Sequence, residues 1–155
     1  MIGLVLVDAF VWFAWSLVAS TIWRTRRPAF FDRDTWVTKP RRWEKDGRRY
    51  EALRIRRWKD ALPEFGGFAG GRSKRTLGGF DRVALAGFAR ETRRAEYVHW
   101  TIACAGPLFA LWNPPLLTAA MLGYAVAANI PFIAIQRYNR LRILRIQRRR
   151  TRNAS

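Results

Sequence analysis

The sequence predicts an all-α integral membrane protein with about three transmembrane helices. One N-terminal span and a helical hairpin are joined by a basic cytoplasmic segment. Half of the 155 residues are hydrophobic, yet 29 are Lys or Arg against 11 Asp or Glu, a formal charge of +18. The two populations are segregated. Residues 1–23 and 95–136 hold no Lys or Arg, whereas residues 24–94 hold 21 of them and residues 137–155 hold the other eight. Long apolar runs between cationic blocks mark a membrane protein rather than a basic globule. The single cysteine, Cys104, lies inside an apolar run, which excludes a disulfide framework and a cysteine-rich metal site.

The first span is residues 2–23, with Asp8 as its one charge. At about 1.5 Å per residue such a helix covers a hydrocarbon core of roughly 30 Å. Val18-Ala19-Ser20 resembles a signal-peptide cleavage site, but no Lys or Arg precedes the run. It is also longer than a usual signal core, so it reads as an uncleaved anchor. Residues 97–135 are too long for one span, and Asn113-Pro114-Pro115 divides them, because consecutive prolines lack backbone donors and clash with the preceding turn. The hairpin arms are then 97–112 and 116–135. The first is short, and a continuous helix from about Phe80 to Trp112 is the reading that lengthens it; whether it crosses fully or re-enters stays open. Trp23, Trp100 and Trp112 fall near segment ends, where an aromatic belt puts them. Three spans place every Lys and Arg, in segment 24–96 and in tail 136–155, on the cytoplasmic side. The amino terminus and the Asn113 turn then lie outside, and residues 1–155 form a single membrane domain.

Within the cytoplasmic segment, residues 50–62 read as a short basic helix ended by Pro63, with Tyr50, Leu53, Trp58 and Leu62 to one side. Such a helix suits an anionic membrane surface, or is simply a solvated charged face. Gly66 and Gly71, followed by Arg72 and Ser73, mimic the spacing of a nucleotide-binding P-loop. The required Lys is Arg and no strand precedes it, so that motif fails. Exposed backbone N–H groups beside Arg72, Lys74 and Arg75 still suit phosphate, the alternative being a plain connector.

The densest chemistry is Glu91 to Trp100, at the cytoplasmic mouth of the second span. At about 100° per residue, Glu91, His99 and Glu96 share one arc, with the only histidine between two carboxylates. A carboxylate one turn away can fix the imidazole tautomer and raise its basicity, as a general base requires. The bland alternative pairs Glu91 and Glu96 with Arg93, Arg94 or Arg137. Glu96 and His99 also match half of a di-iron motif, but no second half exists and no bound metal is expected. Reflecting the hairpin arms about Pro114 sets His99 level with Asn129 and Glu91 level with Arg137. Gln136, Tyr138, Asn139 and Arg140 then join that depth. Polar groups converging inside a membrane point to a functional site. Asp8 stands apart, near the outer leaflet, as a polar contact at a helix interface.

Several short motifs occur in order: Arg57-Trp58-Lys59-Asp60-Ala61-Leu62-Pro63-Glu64, the Gly-rich stretch ending Arg72-Ser73-Lys74-Arg75, and Glu91-Thr92-Arg93-Arg94-Ala95-Glu96 through His99-Trp100. Trp112-Asn113-Pro114, Asn129-Ile130-Pro131 and Gln136-Arg137-Tyr138-Asn139-Arg140 follow. The series, from about Trp58 to Arg140, resembles the glycosyl-4,4'-diaponeurosporenoate acyltransferases of staphyloxanthin-type carotenoid pathways. That resemblance implies transfer of a fatty acyl group onto a sugar hydroxyl of a glycosylated carotenoid or similar glycolipid. His99, oriented by Glu96 or Glu91, would take the hydroxyl proton, and Asn129, a backbone N–H or Asn113, which falls on the opposite side, would stabilise the oxyanion. Lys59, Arg72, Lys74, Arg75, Arg94, Arg137 and Asn139 would bind substrate, the cations holding the phosphates of acyl-CoA or a similar carrier. No cofactor is bound; the acyl donor is a co-substrate. The arginine richness points to a high-GC bacterium and hence to its plasma membrane.

Two other classes stay open. A membrane-anchored nucleic-acid binder would use the positive charge and interleaved aromatics, although positive-inside topology already accounts for that charge. A non-enzymatic subunit would use the same helices to bind a partner protein or anionic lipid. A homo-oligomer is compatible with either, since three short spans enclose little interior.

Overall fold

A computed structural model describes residues 2–59 and 81–153. Among these residues all regular structure is helical: α1 (Ile2–Arg24), α2 (Arg48–Ala52), α3 (Ile55–Trp58), α4 (Arg82–Cys104) and α5 (Pro115–Arg152), with 3-10 turns at Pro28–Phe31, Arg42–Gly47 and Gly106–Leu111. Two helices, α1 and α5, are long and apolar enough to cross a membrane.

Two local expectations are corrected. The helix expected to run on to Trp112 stops at Cys104, and Gly106-Pro107 opens a 3-10 turn instead, because Pro107 offers no backbone donor to continue the α ladder. Residues 116–135 lie in α5, whose helix runs on through the basic tail to Arg152 with Pro131 inside it. The basic helix expected over 50–62 is two short helices separated at Leu53–Arg54, where Arg54 takes the left-handed φ of 54°. Residues 60–62 lie outside the described residues.

The chain divides into two compact units, Met1–Arg26 with Arg94–Ile133, and Arg27–Arg93 with Ala134–Ser155. The first unit packs α1 against the later turns of α4, the Gly106–Leu111 turn and the start of α5. Its core is Trp12, Ala19, Ile102, Phe109 and Ala125, flanked by Val11, Trp15, Val98 and Met121. The Trp15 indole donates to the Thr101 carbonyl at 3.1 Å and the Trp23 indole to the Thr101 hydroxyl at 2.8 Å. Trp23 also stacks on Tyr97 with ring centroids 4.4 Å apart. A Cβ added at Gly106 would meet the Ala125 Cβ at 3.0 Å, so glycine permits this close approach to α5. Asp8 is buried and accepts hydrogen bonds from the Trp112 indole at 2.8 Å and the Asn113 amide at 2.9 Å. The start of α1 therefore meets the Asn113 turn, while its end meets Tyr97 and Thr101. Ile2, Leu6, Phe10, Phe13 and Leu17 of α1 remain exposed. Exposed apolar side chains thus surround a buried, partly polar seam.

The second unit has two apolar clusters along the later turns of α5. Leu85, Phe88 and Ala89 pack with Ile143, and Tyr50 and Ile55 pack with Tyr138 and Leu141. Segment 27–47 has little regular structure, so its carbonyls need other partners. Arginines from α4 and α5 supply them. Arg93 donates to Asp34 at 2.7 Å and to the Phe31 carbonyl at 3.0 Å, while Arg140 reaches the Thr38 carbonyl. Lys45, Asp46 and Gly47 are consecutive left-handed residues, and the Asp46 carbonyl accepts from Arg145.

Candidate active site

Within the first unit, His99 is half-buried on α4 and pairs through Nδ1 with Asn129 Oδ1 of α5 at 3.1 Å. This is the register that reflection about Pro114 anticipates. The imidazole also stacks on Phe132, with centroids 4.8 Å apart and planes 5° apart. Asn129 is buried, and its Nδ2 donates to the Ala125 carbonyl at 2.9 Å. That bond settles which way the amide faces. Nδ2 is occupied by an acceptor, so Oδ1 is the atom turned to His99, and a carbonyl oxygen only accepts. The proton must therefore sit on Nδ1. Nε2 carries the lone pair that can accept a proton from a substrate.

The two carboxylates expected to orient His99 are placed differently. Glu96 is fully buried on α4, and the Trp100 indole donates to its Oε1 at 3.4 Å. Glu91 is half-buried on the part of α4 that belongs to the second unit. Asn129, expected as an oxyanion donor, has one amide N–H on the Ala125 carbonyl and its oxygen on His99. Arg94 is half-buried and falls in the first unit.

In the second unit, Arg137 is engaged along its whole guanidinium. Nε donates to Glu44 Oε1 at 2.8 Å, Nη1 to the Val37 carbonyl at 3.1 Å, and Nη2 to the Lys39 carbonyl at 2.9 Å and Glu44 Oε2 at 3.2 Å. Tyr50 donates to Glu44 Oε1 at 2.7 Å, and the Arg41 backbone N–H donates to Glu44 Oε2. Burial by itself pushes the Glu44 carboxyl up, but the hydrogen bonds from Arg137, Arg41 and Tyr50 outweigh it and hold the group below its ordinary value. Burial and the neighbouring Glu44 carboxylate push the Tyr50 phenol well above its ordinary value. Asn139 is buried with no hydrogen-bond partner for its Oδ1. Lys59, half-buried, directly follows α3. Arg72, Lys74 and Arg75 lie outside the described residues.

The Glu44–Arg137–Tyr50 cluster went unforeseen. Its signal was the scarcity of acid in a strongly basic segment: Asp32, Asp34, Glu44, Asp46 and Glu51 each pair with an arginine. Among the described residues no group of three His, Cys, Asp or Glu side chains could hold a metal ion.

Residues 30–149 match the family of glycosyl-4,4'-diaponeurosporenoate acyltransferases. The chain is 35% identical over 103 residues to the protein of that name from Staphylococcus haemolyticus, covering 65% of this chain and 60% of the relative. It is 43% identical over 63 residues to the protein of that name from Staphylococcus aureus, covering 39% of this chain and 38% of the relative. The chain thus aligns with less than two thirds of the length of either relative. No solved structure matches.

Proposed function

The chain belongs to the glycosyl-4,4'-diaponeurosporenoate acyltransferase family, and from that premise we propose a membrane-bound O-acyltransferase with His99 as its general base. The reaction moves a fatty acyl group from an activated ester, such as acyl-CoA, onto a sugar hydroxyl of a glycosylated carotenoid or similar glycolipid. The observation that carries the assignment to His99 is its hydrogen bond to an amide already oriented by the Ala125 carbonyl.

In this mechanism Nε2 of His99 takes the proton as the sugar oxygen adds to the acyl carbonyl carbon. The tetrahedral adduct collapses, the bond from carbon to the leaving group breaks, and the imidazolium returns its proton to that leaving group. Asn129 keeps the tautomer competent, taking the orienting role expected of Glu96 or Glu91. Lys59, Arg72, Lys74 and Arg75 bind the phosphates of the donor, while Arg137 organises residues 37–44 around Glu44. The proposal includes a three-span topology, with α1, the apolar end of α4 with its 3-10 turn, and the start of α5 in the bilayer. It leaves His99 on the cytoplasmic side, level with the Trp23 end of α1. A soluble donor then arrives from the cytoplasm and a lipid-like acceptor from the membrane.

The test is acyl transfer by the purified protein in lipid nanodiscs, from labelled acyl-CoA to a glycosylated carotenoid acid. Transfer that needs His99 supports the assignment. Transfer retained by a folded His99→Ala protein removes it, and no turnover alongside stable copurification of another protein favours a non-enzymatic subunit.

A further inference from the structure

Asn129 shares the imidazole of His99 with a second residue of α5, Phe132, to which the mechanism above gives no part. Residues three apart share one face of a helix, so both reach the imidazole from the same side of α5. They hold it differently. Asn129 Oδ1 meets the Nδ1 edge at 3.1 Å, whereas the Phe132 ring lies along the imidazole face, with centroids 4.8 Å apart and planes 5° apart. Parallel rings at that separation form an offset stack, a favoured arrangement of aromatic faces. The edge contact fixes how far the imidazole turns within its plane, and the stack fixes the plane itself. The lone pair of Nε2 lies in that plane. Phe132 therefore sets the direction from which a hydroxyl must approach.

The stack also bears on charge. On taking the hydroxyl proton the imidazole becomes a cation, and it is neutral again once that proton passes to the leaving group. In a Ser-His-Asp triad a carboxylate stabilises this imidazolium. Here the edge partner is a neutral amide, and among the described residues no charged group pairs with His99. Glu96, three residues earlier on α4, has the Trp100 indole on its Oε1, and Glu91 belongs to the other unit. What lies against the ring is Phe132, half-buried like His99 itself. An aromatic face attracts a cation within about 6 Å of its centroid, most strongly where water is excluded. The neutral imidazole feels little of this attraction, so it grows as the proton moves. An interaction stronger in the transition state than in the ground state lowers the barrier.

We propose that Phe132 is a positioning residue, which holds the plane of His99 and stabilises its imidazolium through the ring face; this rests on the reading of His99 as general base. Mono-, di- and trifluorophenylalanine in place of Phe132 in the full-length protein test it, because fluorine draws negative charge from the ring face and scarcely alters its shape. In nanodiscs kcat for acyl transfer should fall stepwise along the series, by about 2–30-fold with three fluorines, at unchanged KM. Phe132→Leu keeps an apolar side chain without a ring face and should lose at least as much. Phe132→Tyr, which restores the face, should recover most of that loss. The sole histidine gives unambiguous nitrogen NMR signals, and these should show Nδ1 protonated in every fluorinated protein. A flat series, in a protein whose transfer is abolished by His99→Ala, overturns the role of Phe132 and leaves the general base standing. Loss of the Nδ1-protonated form along the series also overturns it, by reducing Phe132 to packing. Transfer that survives His99→Ala, or no transfer by the wild type, overturns both readings together.

Discussion

At the residue scale, the tautomer of His99 follows from a hydrogen bond that does not touch it. The Ala125 carbonyl claims Nδ2 of Asn129, which leaves Oδ1 for His99 and forces the imidazole proton onto Nδ1. Asn129→Leu should therefore slow acyl transfer by roughly tenfold, the rate equivalent of one hydrogen bond of about 1.4 kcal/mol, with little change in KM. His99→Ala should cost on the order of 10²–10⁴-fold in kcat. Steady-state kinetics on the two variants check the order, and an Asn129→Leu loss equal to that of His99→Ala would mean that Asn129 contacts the substrate itself. The sequence made His99 legible, being the sole histidine beside a charge-rich helix mouth. Hairpin symmetry made its level with Asn129 legible too. It misdirected the choice of partner, because helical arcs rank neighbours on one helix and Asn129 comes from another.

At the scale of elements, segment 27–47 is held by arginines from later in the chain, and Glu44 is its centre. Removing one member of a buried ion pair leaves the other charge uncompensated, so Arg137→Met should destabilise the protein by about 3–5 kcal/mol. Thermal unfolding would register this. The pH dependence has a definite sign. Glu44 is held below its ordinary value in the folded state, so the unfolded chain binds more protons at acid pH and stability falls as pH falls. The contribution is complete above the unfolded carboxyl range and is lost on titration down through the folded value. Glu44→Gln should be less stable at neutral pH and show a flatter acid limb than the wild type. An unchanged limb would assign the acid sensitivity to another carboxylate.

These elements were only partly legible. The length of α1 followed from an unbroken apolar run, and the break before α5 followed from Pro114-Pro115. Pro107 was overlooked as a helix stop because it sits in an apolar stretch. Pro131 does not break α5, where two prolines at the turn do. The pairing of Glu44 with Arg137 joins residues far apart in a chain rich in arginine, and local pattern cannot choose among so many cations.

At the scale of the whole molecule, the segregation of charge is what the proposed topology rests on. Among the described residues α1 and α5 are long and apolar enough to span, and the polar contacts of α1 set its start beside the Asn113 turn. The proposed three-span arrangement would put that turn outside and the arginine-rich end of α5 inside. With Cys104 replaced by Ser, a cysteine at Leu116 should react with a membrane-impermeant maleimide in intact cells, and one at Asn153 only after lysis. Labelling of both in intact cells, or the reverse pattern, would contradict the arrangement. At this level the apolar blocks announce the two candidate spans, since bilayer thickness acts on composition before any contact forms.

The central claim, acyl transfer dependent on His99, is tested most directly by lipid mass spectrometry of membranes from cells that make candidate glycolipids. Cells lacking the gene would be compared with cells carrying it intact and with cells carrying His99→Ala. The account predicts a glycolipid heavier by one fatty acyl group only with the intact gene. Equal acylation in all three, with both proteins expressed, would contradict it.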